Sequence, residues 1–493
     1  MKKLLAFALV LTMILSMLVV TTSAAAWDGT SASASLKGEG TADSPYLVES
    51  AEDLKYIQVQ VNEGNKFEGK YFKQTADIDL GNKEWAPIGE RTAKPFIGLY
   101  DGNGYKIVNF YQTFSYRFGG LFAYMTTTAD FTPGIINVTL EGKMDGGNRV
   151  GDIYSGALLG WCQQSGSDTN KIVIANCVVD VDMTLETTGK GNTGDLILAN
   201  VLARSGYANV INCVCNGDVT VIADGSKVTA GGVVGYAPDT DVINCVNYGN
   251  ITAKNTTDAK DIFCGGTIGT TATSKIAVKI ENCINYGTVN SDGGRNCYTG
   301  GTMGCSASNN TTMFNCANVG DVTAKSSGAG FLSYAGGVLG YSNKEGVVVA
   351  SCYNNGIPTT LHDSRNDHAP GGIVGVLNNA SDTTYLKDST TTTKTSFGYM
   401  AATNPATNCT TEADATVVAA AIKAIEDVIA AADSATVNGV TFKFAVEEPV
   451  TPPAPETTEP EAPAETGDAS IIFAVIAVIS IAGVAIVAKK REN

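Results

Sequence analysis

Short apolar segments of four to six residues recur along most of the chain, for example at 232–235, 242–246 and 250–253. Between residues 123 and 380 no stretch of helix length repeats its apolar side chains with a helical period. Glycine and asparagine separate the segments, and both residues favour the tight turns that join strands. The pattern therefore predicts many short strands with sharp corners between them.

Two phrases recur in step along this region. The first is Asn-Cys, followed after three residues by Gly in most copies, and its copies lie 32 to 39 residues apart. Its members, two of them altered, are Asn137-Val138, Asn176-Cys177, Asn212-Cys213, Asn244-Cys245, Asn282-Cys283, Asn315-Cys316 and Ser351-Cys352. The second is a Gly-Gly or Gly-Ala pair, which begins at Gly119, Gly156, Gly231, Gly265, Gly300, Gly336 and Gly371. Repetition at this period is typical of solenoids, in which each repeat packs on its neighbours.

We interpret each repeat as one coil of a parallel β-helix with about three strands, and a β-propeller with one blade per repeat is the alternative. The second asparagine of the phrase, as in Asn247 and Asn285, is expected at a corner, with left-handed backbone and a hydrogen bond to the next coil. The cysteines at the repeated position are expected to stack as buried free thiols. They are Cys177, Cys213, Cys245, Cys283, Cys316 and Cys352.

Helical patterns at the two ends of the repeats predict caps, because a solenoid must cover its terminal strands. Ser50 and Asp53 resemble a capping box before an apolar stripe that begins at Leu54. A second stripe includes Val418 and Ile425, and a hairpin turn is expected at 437–440.

The two termini carry targeting features. The positive start, apolar stretch and small-residue ending of 1–26 are typical of a cleaved secretion signal. An apolar run of eighteen residues at 471–488, followed by Lys489-Lys490-Arg491, predicts a membrane span with a cytoplasmic tail. The predicted divisions are a signal peptide (1–26), an N-terminal cap with the first coils (27–118), the repeats (119–400), a C-terminal capping helix and hairpin (401–446), a Pro/Glu/Thr-rich spacer (447–468) and an anchor with a basic tail (469–493).

The C-terminal order of spacer, apolar run and basic tail resembles the cell-wall sorting signals of Gram-positive bacteria. The pentapeptide at 463–467 ends in Thr466-Gly467 but lacks the Leu and Pro positions of the Leu-Pro-x-Thr-Gly motif. Two outcomes stay open: covalent attachment to the wall after cleavage at Thr466, or retention of the membrane span. Both predict a protein on the extracellular face of a bacterial cell.

The composition excludes some partners. The chain has 33 Lys and Arg against 49 Asp and Glu, a net charge of −16, and its basic clusters lie at the two termini. Such a chain is not expected to bind nucleic acid, whose affinity for proteins depends on many phosphate contacts.

The region before the repeats resembles the N-terminal module of bacterial surface proteins with GLUG-type repeats. The resemblance is carried by 40–48, 69–72, 75–80, 85–89, 95–98 and 100–107, and Gly119-Gly120-Leu121-Phe122 looks like the first repeat. It implies a right-handed parallel β-helix outside a bacterium, with a role in adhesion. Related repeats accompany some immunoglobulin A metallopeptidases, whose zinc helix carries His-Glu-x-x-His. The two histidines, His362 and His368, do not form that motif.

Candidate catalytic groups are few. Asp180 and Asp182 lie two residues apart on a predicted strand, and Asp363, Arg365, Asp367 and His368 share a predicted loop. Asp77 with Asp79, and the segment 101–104, are expected to form turns. The sequence therefore predicts no catalytic residue, no metal ligand and no cofactor.

Aromatic residues recur at equal offset after the Gly phrase, and a second pair follows the Asn-Cys phrase. The first row is Tyr124, Trp161, Tyr236 and Tyr341, and the second pair is Tyr248 and Tyr286. Rows that face outward would form a binding stripe for glycan or protein, whereas rows that face inward or lie at a half-buried corner would be structural.

Three functions stay open on this evidence. The first is a non-catalytic, surface-anchored adhesin or binding module that presents its loops to host or environmental glycan, mucin or protein. The second is an extracellular polysaccharide lyase or glycosidase on the same fold, which would need clustered carboxylates. The third is a passive stalk or wall component.

Overall fold

The computed structural model describes residues 27–165, 170–257, 260–272, 277–362, 370–379, 384–400 and 406–444. Within these ranges the chain forms a parallel β-solenoid of about eight turns. The chain of a complete coil passes through four sheets, which we number 1 to 4 in the order in which it enters them. The predicted solenoid is confirmed and the propeller is excluded. A coil of three strands is wrong, because the Gly pair divides one expected side of the coil into sheets 3 and 4. The hand of the helix stays a prediction.

The strands of each sheet are short and lie in parallel register with the coils above and below. Among the described residues, sheet 1 contains Tyr46–Val48, Tyr71–Gln74, Leu99–Asp101, Gly134–Ile136, Ile172–Ala175, Ala208–Ile211, Thr240–Ile243, Val278–Glu281, Thr311–Phe314, Val348–Ala350, Tyr385–Lys387 and Ala406–Thr407. Sheet 2 contains Ile78–Asp79, Lys106–Gln112, Thr139–Asp145, Val178–Glu186, Val214–Cys215, Val219–Ala223, Val246–Asn247, Ile251–Asn255, Ile284–Asn285, Val289–Gly293, Ala317–Asn318, Val322–Ser326, Tyr353–Asn354, Pro358–His362 and Thr390–Thr391.

Sheets 3 and 4 follow sheet 2 in each coil. Within the described ranges, sheet 3 contains Phe118–Gly119, Ile153–Gly156, Asp195–Ala199, Lys227–Gly231, Ile262–Gly265, Cys297–Gly300 and Ser333–Gly336. Sheet 4 contains Phe122–Thr126, Leu159–Gln163, Leu202–Arg204, Val234–Tyr236, Ile268–Thr270, Met303–Ser306, Leu339–Ser342, Val374–Leu377 and Phe397–Met400.

The first asparagine of each phrase turns the corner between sheets 1 and 2. Asn244 has φ of 57° and Asn282 has φ of 52°, in the left-handed region that asparagine tolerates better than most residues. Asn282 Nδ2 donates to Asn244 Oδ1 at 2.8 Å, and Asn315 Nδ2 donates to Asn282 Oδ1 at 2.8 Å. The assignment of left-handed backbone to the second asparagine is wrong, because the first asparagine makes this turn.

The second asparagine of each phrase forms a separate ladder inside the core. Asn247, Asn285, Asn318 and Asn354 are fully buried in sheet 2. Asn285 Nδ2 donates to Gly287 O at 2.7 Å and to Asn318 Oδ1 of the next coil at 2.8 Å. The predicted hydrogen bond between coils is therefore confirmed for this asparagine.

The Gly-Gly pair packs against this buried ladder. A Cβ atom on Gly301 would lie 2.0 Å from Gly337 O and 2.2 Å from Asn318 Cγ. Gly266 has the same relation to Asn285. The two sequence phrases stay in step because the buried asparagine occupies the space beside the second glycine, where a side chain would collide.

The six repeat-position cysteines lie in the core as free thiols, as predicted. All six are fully buried, and Cys213 Sγ donates to Ile211 O at 3.4 Å. Burial also raises the pKa of the Cys162 thiol, in sheet 4, to about 11. A buried, protonated thiol behaves as a small apolar side chain and is a poor nucleophile.

The N-terminal helix α1 (Ala51–Glu63) begins as predicted. The Ser50 hydroxyl accepts a hydrogen bond from the Asp53 backbone N–H at 3.4 Å, and Gly64 ends the helix with left-handed backbone. Leu54 and Ile57 are fully buried in the main core of the solenoid. The predicted cap helix is thus packed on the first coils.

The C-terminal helix α2 (Ala415–Ala430) has its predicted start, at Asp414, but does not cap the last coil. Its apolar face, which includes Val418 and Ile425, packs on Val246, Ile284 and Ala317 on the outer side of sheet 2. These three residues lie in three successive coils. The prediction of an end cap is therefore wrong. The helix covers the flank of the solenoid, because the short strands of sheet 2 expose apolar side chains there.

The hairpin of Ser434–Val437 and Val440–Lys443 lies on the outer side of sheet 1, at the N-terminal coils. Ala435 and Phe442 pack with Leu99 and Val173 of sheet 1, and Asn137 Nδ2 donates to Lys443 O at 3.3 Å. We call residues 415–444 the strap. The last described residues thus lie beside the first coils rather than the last.

Several predicted features lie outside the described residues. They include the signal peptide at 1–26, the loop with Asp363, Arg365, Asp367 and His368, and the spacer, sorting motif with Thr466 and Gly467, and anchor at 447–493. Helices in the described part of the chain are too short or too polar to cross a membrane. These predictions are neither supported nor contradicted by the structure.

Loss of the buried asparagine ladder should destabilise the solenoid. Replacing Asn285 by Ala removes three hydrogen bonds: the two that its Nδ2 group donates, to Gly287 O and to Asn318 Oδ1, and the one that its Oδ1 accepts from Asn247 Nδ2 at 2.8 Å. We expect the free energy of unfolding in urea to fall by about 1–3 kcal/mol for each group left unpaired. Asn216→Ala is the control, because the Asn216 side chain is exposed. An equal effect of both variants would contradict the role of the ladder.

The strap should open independently of the coils when its apolar face is weakened. Ile425→Ala removes a side chain that is 1% exposed, and we expect about 2–5 kcal/mol less protection of 415–430 in hydrogen exchange. Val428→Ala, at a residue 49% exposed, is the control and should change little. Equal loss of protection in the strap and in sheet 2 would show that the strap is not a separate unit.

Candidate functional site

The outer sides of sheets 3 and 4 together form a surface lined with aromatic side chains. On sheet 3, Ile153 and Leu196 point into the main core, whereas Tyr154 and Ile197 belong to a separate cluster on the other side of the sheet. On sheet 4, Tyr124 belongs to the same separate cluster. The row of sheet 3 that contains Tyr154 and the row of sheet 4 that contains Tyr124 therefore face away from the main core.

Contacts between the two rows show that the surface is concave. The ring of Phe118 on sheet 3 lies 5.1 Å from that of Trp161 on sheet 4, and Tyr334 lies 4.8 Å from Tyr341 between the same sheets. Outer side chains of two sheets meet at such distances only if the sheets are inclined towards each other. We call this surface the aromatic groove.

The first part of the groove is formed by rings in edge-to-face contact. Tyr124 and Trp161 are neighbours in the sheet 4 register, with ring centroids 5.3 Å apart and planes at 68°. Tyr154 of sheet 3 lies 6.2 Å from Trp161 at 83°. This geometry is the favourable one for aromatic quadrupoles and adds to the stability gained from burial.

The second part of the groove is a stacked ladder. Phe263, Tyr298 and Tyr334 are register neighbours on sheet 3, with centroid distances of 5.0 Å and 5.1 Å and nearly parallel planes. Tyr341 of sheet 4 lies 5.1 Å from Tyr298. Because the ring faces cover one another, this part of the groove offers mainly ring edges and hydroxyl groups to a ligand.

Two basic side chains lie over the rings in the middle of the groove. Arg204 takes the sheet 4 position between Trp161 and Tyr236, and its guanidinium carbon lies 5.1 Å and 5.4 Å from those ring centroids. Lys227 Nζ lies 5.8 Å from the Tyr236 ring and 5.0 Å from the Phe263 ring. These cation–π contacts connect the two parts of the groove.

The tyrosine hydroxyls of the groove are neutral at physiological pH. Burial raises the pKa of Tyr124 to about 12 and that of Tyr334 to about 12. Burial also raises the pKa of Tyr236. Neutral phenols can both donate and accept hydrogen bonds, as sugar hydroxyl groups require.

The structure brings together the predicted stripe of Tyr124, Trp161, Tyr236 and Tyr341 in this groove. Tyr124 is only 5% exposed, the other three rings are half-buried, and all four lie outside the main core. The interpretation of these residues as interior core is therefore wrong, and that of a half-buried corner agrees with their surroundings. Ligand binding by the stripe stays a prediction.

Tyr248 and Tyr286 do not join the stripe. They stack with centroids 4.9 Å apart, each directly after a short strand of sheet 2, on the flank covered by the strap. The Tyr286 hydroxyl is hydrogen-bonded to Glu426 of helix α2, and Tyr248 remains 51% exposed. This pair therefore anchors the strap and lies on another side of the solenoid from the groove.

The sheet 3 row and the two cations were missed from the sequence. Four of these aromatic residues stand two positions before the first residue of the Gly phrase. They are Tyr154, Phe263, Tyr298 and Tyr334, before Gly156, Gly265, Gly300 and Gly336. This spacing could have identified the row. The sequence offers no comparable signal for Arg204 and Lys227, because each occurs once at its repeat position.

The predicted acidic pairs do not form a catalytic centre. Asp180 and Asp182 lie on the exposed side of one sheet 2 strand, where burial and then the charge of Asp182 raise the pKa of Asp180. Asp79 and Asp101 accept backbone hydrogen bonds within turns, at 2.7 Å and 2.8 Å. In the part of the chain that the structure describes, no three His, Cys, Asp or Glu side chains converge as metal ligands do.

Comparisons with known proteins give local similarities. No family model matches the chain, so the resemblance to GLUG-type proteins stays a prediction. A protein of Evansella cellulosilytica named as a Gly-rich membrane protein is 40% identical over 75 residues, which are 15% of this chain and 9% of that protein. Halomucin of Haloquadratum walsbyi is 32% identical over 134 residues, which are 25% of this chain and 1% of that protein. The chain thus matches only a small part of the length of these curated relatives.

A solved structure of a Bacteroides ovatus protein, named for immunoglobulin A1 protease activity, has a TM-score of 0.42 and 17% identity. The match covers 83% of this chain and 95% of that one. A similarity at this level carries no information about the activity of this chain.

Proposed function

We propose that this chain is a non-catalytic binding module on a bacterial cell surface and that the aromatic groove is its ligand-binding surface. The observation that carries the proposal is the alignment of aromatic side chains in two rows on the outside of sheets 3 and 4, from Phe118 to Tyr341. The rows are interrupted by Ile197 and Thr229 on sheet 3 and by Arg204, Thr270 and Cys305 on sheet 4. In this proposal the ligand contacts the groove and not, as the sequence suggested, the loops.

The repeat of the groove suits a linear polymer. Parallel coils advance by about 4.8 Å, which is close to the length of one sugar in an extended glycan. Trp161 and Tyr236 offer half-buried rings whose apolar parts can contact the C–H groups of a sugar, and their polar atoms can hydrogen-bond its hydroxyls. A glycan chain lying along the solenoid axis could use equivalent positions in several coils.

A surface location is supported by two independent lines. The sequence predicts a secretion signal and a C-terminal anchor, and two proteins with local similarity are named as a membrane protein and as halomucin. The strap holds Lys443 against Asn137 of an early coil. The C-terminal end of the strap therefore lies beside the N-terminal coils of the solenoid.

Catalysis is not part of the proposal. Burial raises the pKa of Asp152 beside the groove, but hydrogen bonds from the Asp195 backbone N–H and from Arg117 bring it below its usual value. A glycosidase acid needs a raised pKa instead. The polysaccharide-active enzyme and the passive stalk stay as alternatives, and a passive stalk requires that the groove has no ligand.

Removal of two groove rings should weaken ligand binding without unfolding the protein. A glycan and mucin array with the fragment 27–446 should identify ligands, and Trp161→Ala with Tyr236→Ala should weaken their binding about tenfold or more, since each contact contributes on the order of 1 kcal/mol. Tyr248→Ala is the matched control, because this exposed tyrosine lies on another sheet. The fragment contains both helices, the hairpin and every described strand.

Two results would contradict the proposal. One is equal loss of binding in the Tyr248 control, and the other is full binding by the double variant. If the double variant unfolds, the fluorescence of wild-type Trp161 is the second measurement, because Trp27 and Trp85 are buried in the main core. An emission spectrum that does not change at saturating ligand would then overturn the groove assignment.

A further inference from the structure

We propose that the ligand of the aromatic groove is an anionic polysaccharide whose carboxylate groups bind Arg204 and Lys227. This inference rests on the proposed function and names the chemical class of its ligand. It follows from the pairing of the basic side chains. Arg204 and Lys227 form no ion pair with a described residue, whereas the other arginines beside the groove do.

Arg204 is held in the groove by rings and not by an acid. Its guanidinium carbon lies 5.0 Å from the Tyr154 ring centroid and 5.1 Å from that of Trp161. No described residue accepts a hydrogen bond from its side chain or forms an ion pair with it, and its nitrogens are not among the buried unpaired atoms. The donors of this guanidinium therefore stay accessible to solvent and to a ligand.

The neighbouring arginines are neutralised. Arg117 Nη2 lies 2.7 Å from Asp152 Oδ2, and Arg295 Nε lies 2.9 Å from Asp261 Oδ1. Such pairing is the expected state of an arginine in a chain of net charge −16, which has an excess of carboxylates. Arg204, by contrast, has no acidic partner among the described residues and can bind an external carboxylate.

Lys227 extends the positive surface towards the stacked ladder. Its Nζ lies over the rings of Tyr236 and Phe263 and forms no ion pair with a described residue. Asp195 is the register neighbour of Lys227 on sheet 3 but forms no salt bridge with it, and Asp261, which stands immediately before the next strand of that sheet, is paired with Arg295. The nearby charges leave Arg204 and Lys227 as cations that point at the groove.

The side chains of the groove suit a carboxylated glycan better than other kinds of anion. A guanidinium fixed in its plane by aromatic rings binds a planar carboxylate with two parallel hydrogen bonds. The flanking rings and neutral phenols suit the C–H and hydroxyl groups of the adjoining sugars. A glycan of uronic acids supplies both groups at each repeat, whereas an acidic peptide supplies carboxylates on flexible side chains without a sugar ring.

The inference can be tested with polygalacturonate as the probe and the full chain in detergent solution. Wild-type protein should bind polygalacturonate, with an affinity that falls as the salt concentration rises, and should bind neutral galactan at least tenfold more weakly. Arg204→Gln and Lys227→Met should each weaken polygalacturonate binding about tenfold. Lys254→Met is the matched control, because it removes the same charge from an exposed position on sheet 2 and should leave binding unchanged.

Other outcomes separate this inference from the proposed function. Equal binding of galactan and polygalacturonate, with no effect of Arg204→Gln, overturns the anionic ligand and leaves the groove assignment intact. Binding of poly-glutamate with the same affinity as polygalacturonate would show that charge alone is recognised, and it would overturn the assignment of the ligand as a glycan. Failure of both glycans to bind the wild type overturns this inference, while the array decides the proposed function. If Arg204→Gln lowers the unfolding temperature, Arg204→Lys should retain part of the binding.

Discussion

The close contact between the Gly-Gly pair and the buried asparagine ladder sets the geometry of the solenoid. A side chain at Gly301 would collide with the Asn318 amide, and that amide is committed to Gly320 O and to Asn354 of the next coil, at 2.7 Å and 2.8 Å. A buried amide is tolerated only when its hydrogen bonds are satisfied. The coils that carry the asparagine ladder therefore repeat the same two residues at the same places.

This in-register stacking has a functional consequence, because it also aligns whatever lies on the outside. Rings on sheets 3 and 4 fall into rows, and the bend at the Gly pair inclines the two rows towards each other. The same stacking aligns apolar side chains on the outside of sheet 2, and these are covered by the strap. One flank is thus closed by the chain itself, whereas the groove has no described segment over it.

Much of the architecture could be predicted from the sequence because the repeat is strict. The period, the buried thiols and the starts of both helices follow from residue type and spacing. Two features could not be predicted from these patterns. The apolar stripe of helix α2 requires a partner surface, but the sequence does not show that Val246 and Ile284 point outward to provide it. Both asparagines of the phrase suit a corner, and only the backbone conformation shows that Asn244 turns while Asn247 is buried. Only part of the candidate site could be predicted. The aromatic row on sheet 4 was predicted, whereas Arg204 and Lys227 can be recognised as site residues only from the rings around them.

The most direct test of the account is hydrogen exchange of the fragment 27–446 with and without bound polygalacturonate. The account predicts slower exchange in the strands of sheets 3 and 4 between residues 153 and 341, with little change in sheet 1 and in the strap at 415–444. Protection confined to the strap, to sheet 1 or to the connections between coils would show that the ligand binds elsewhere and would contradict the assignment of the groove.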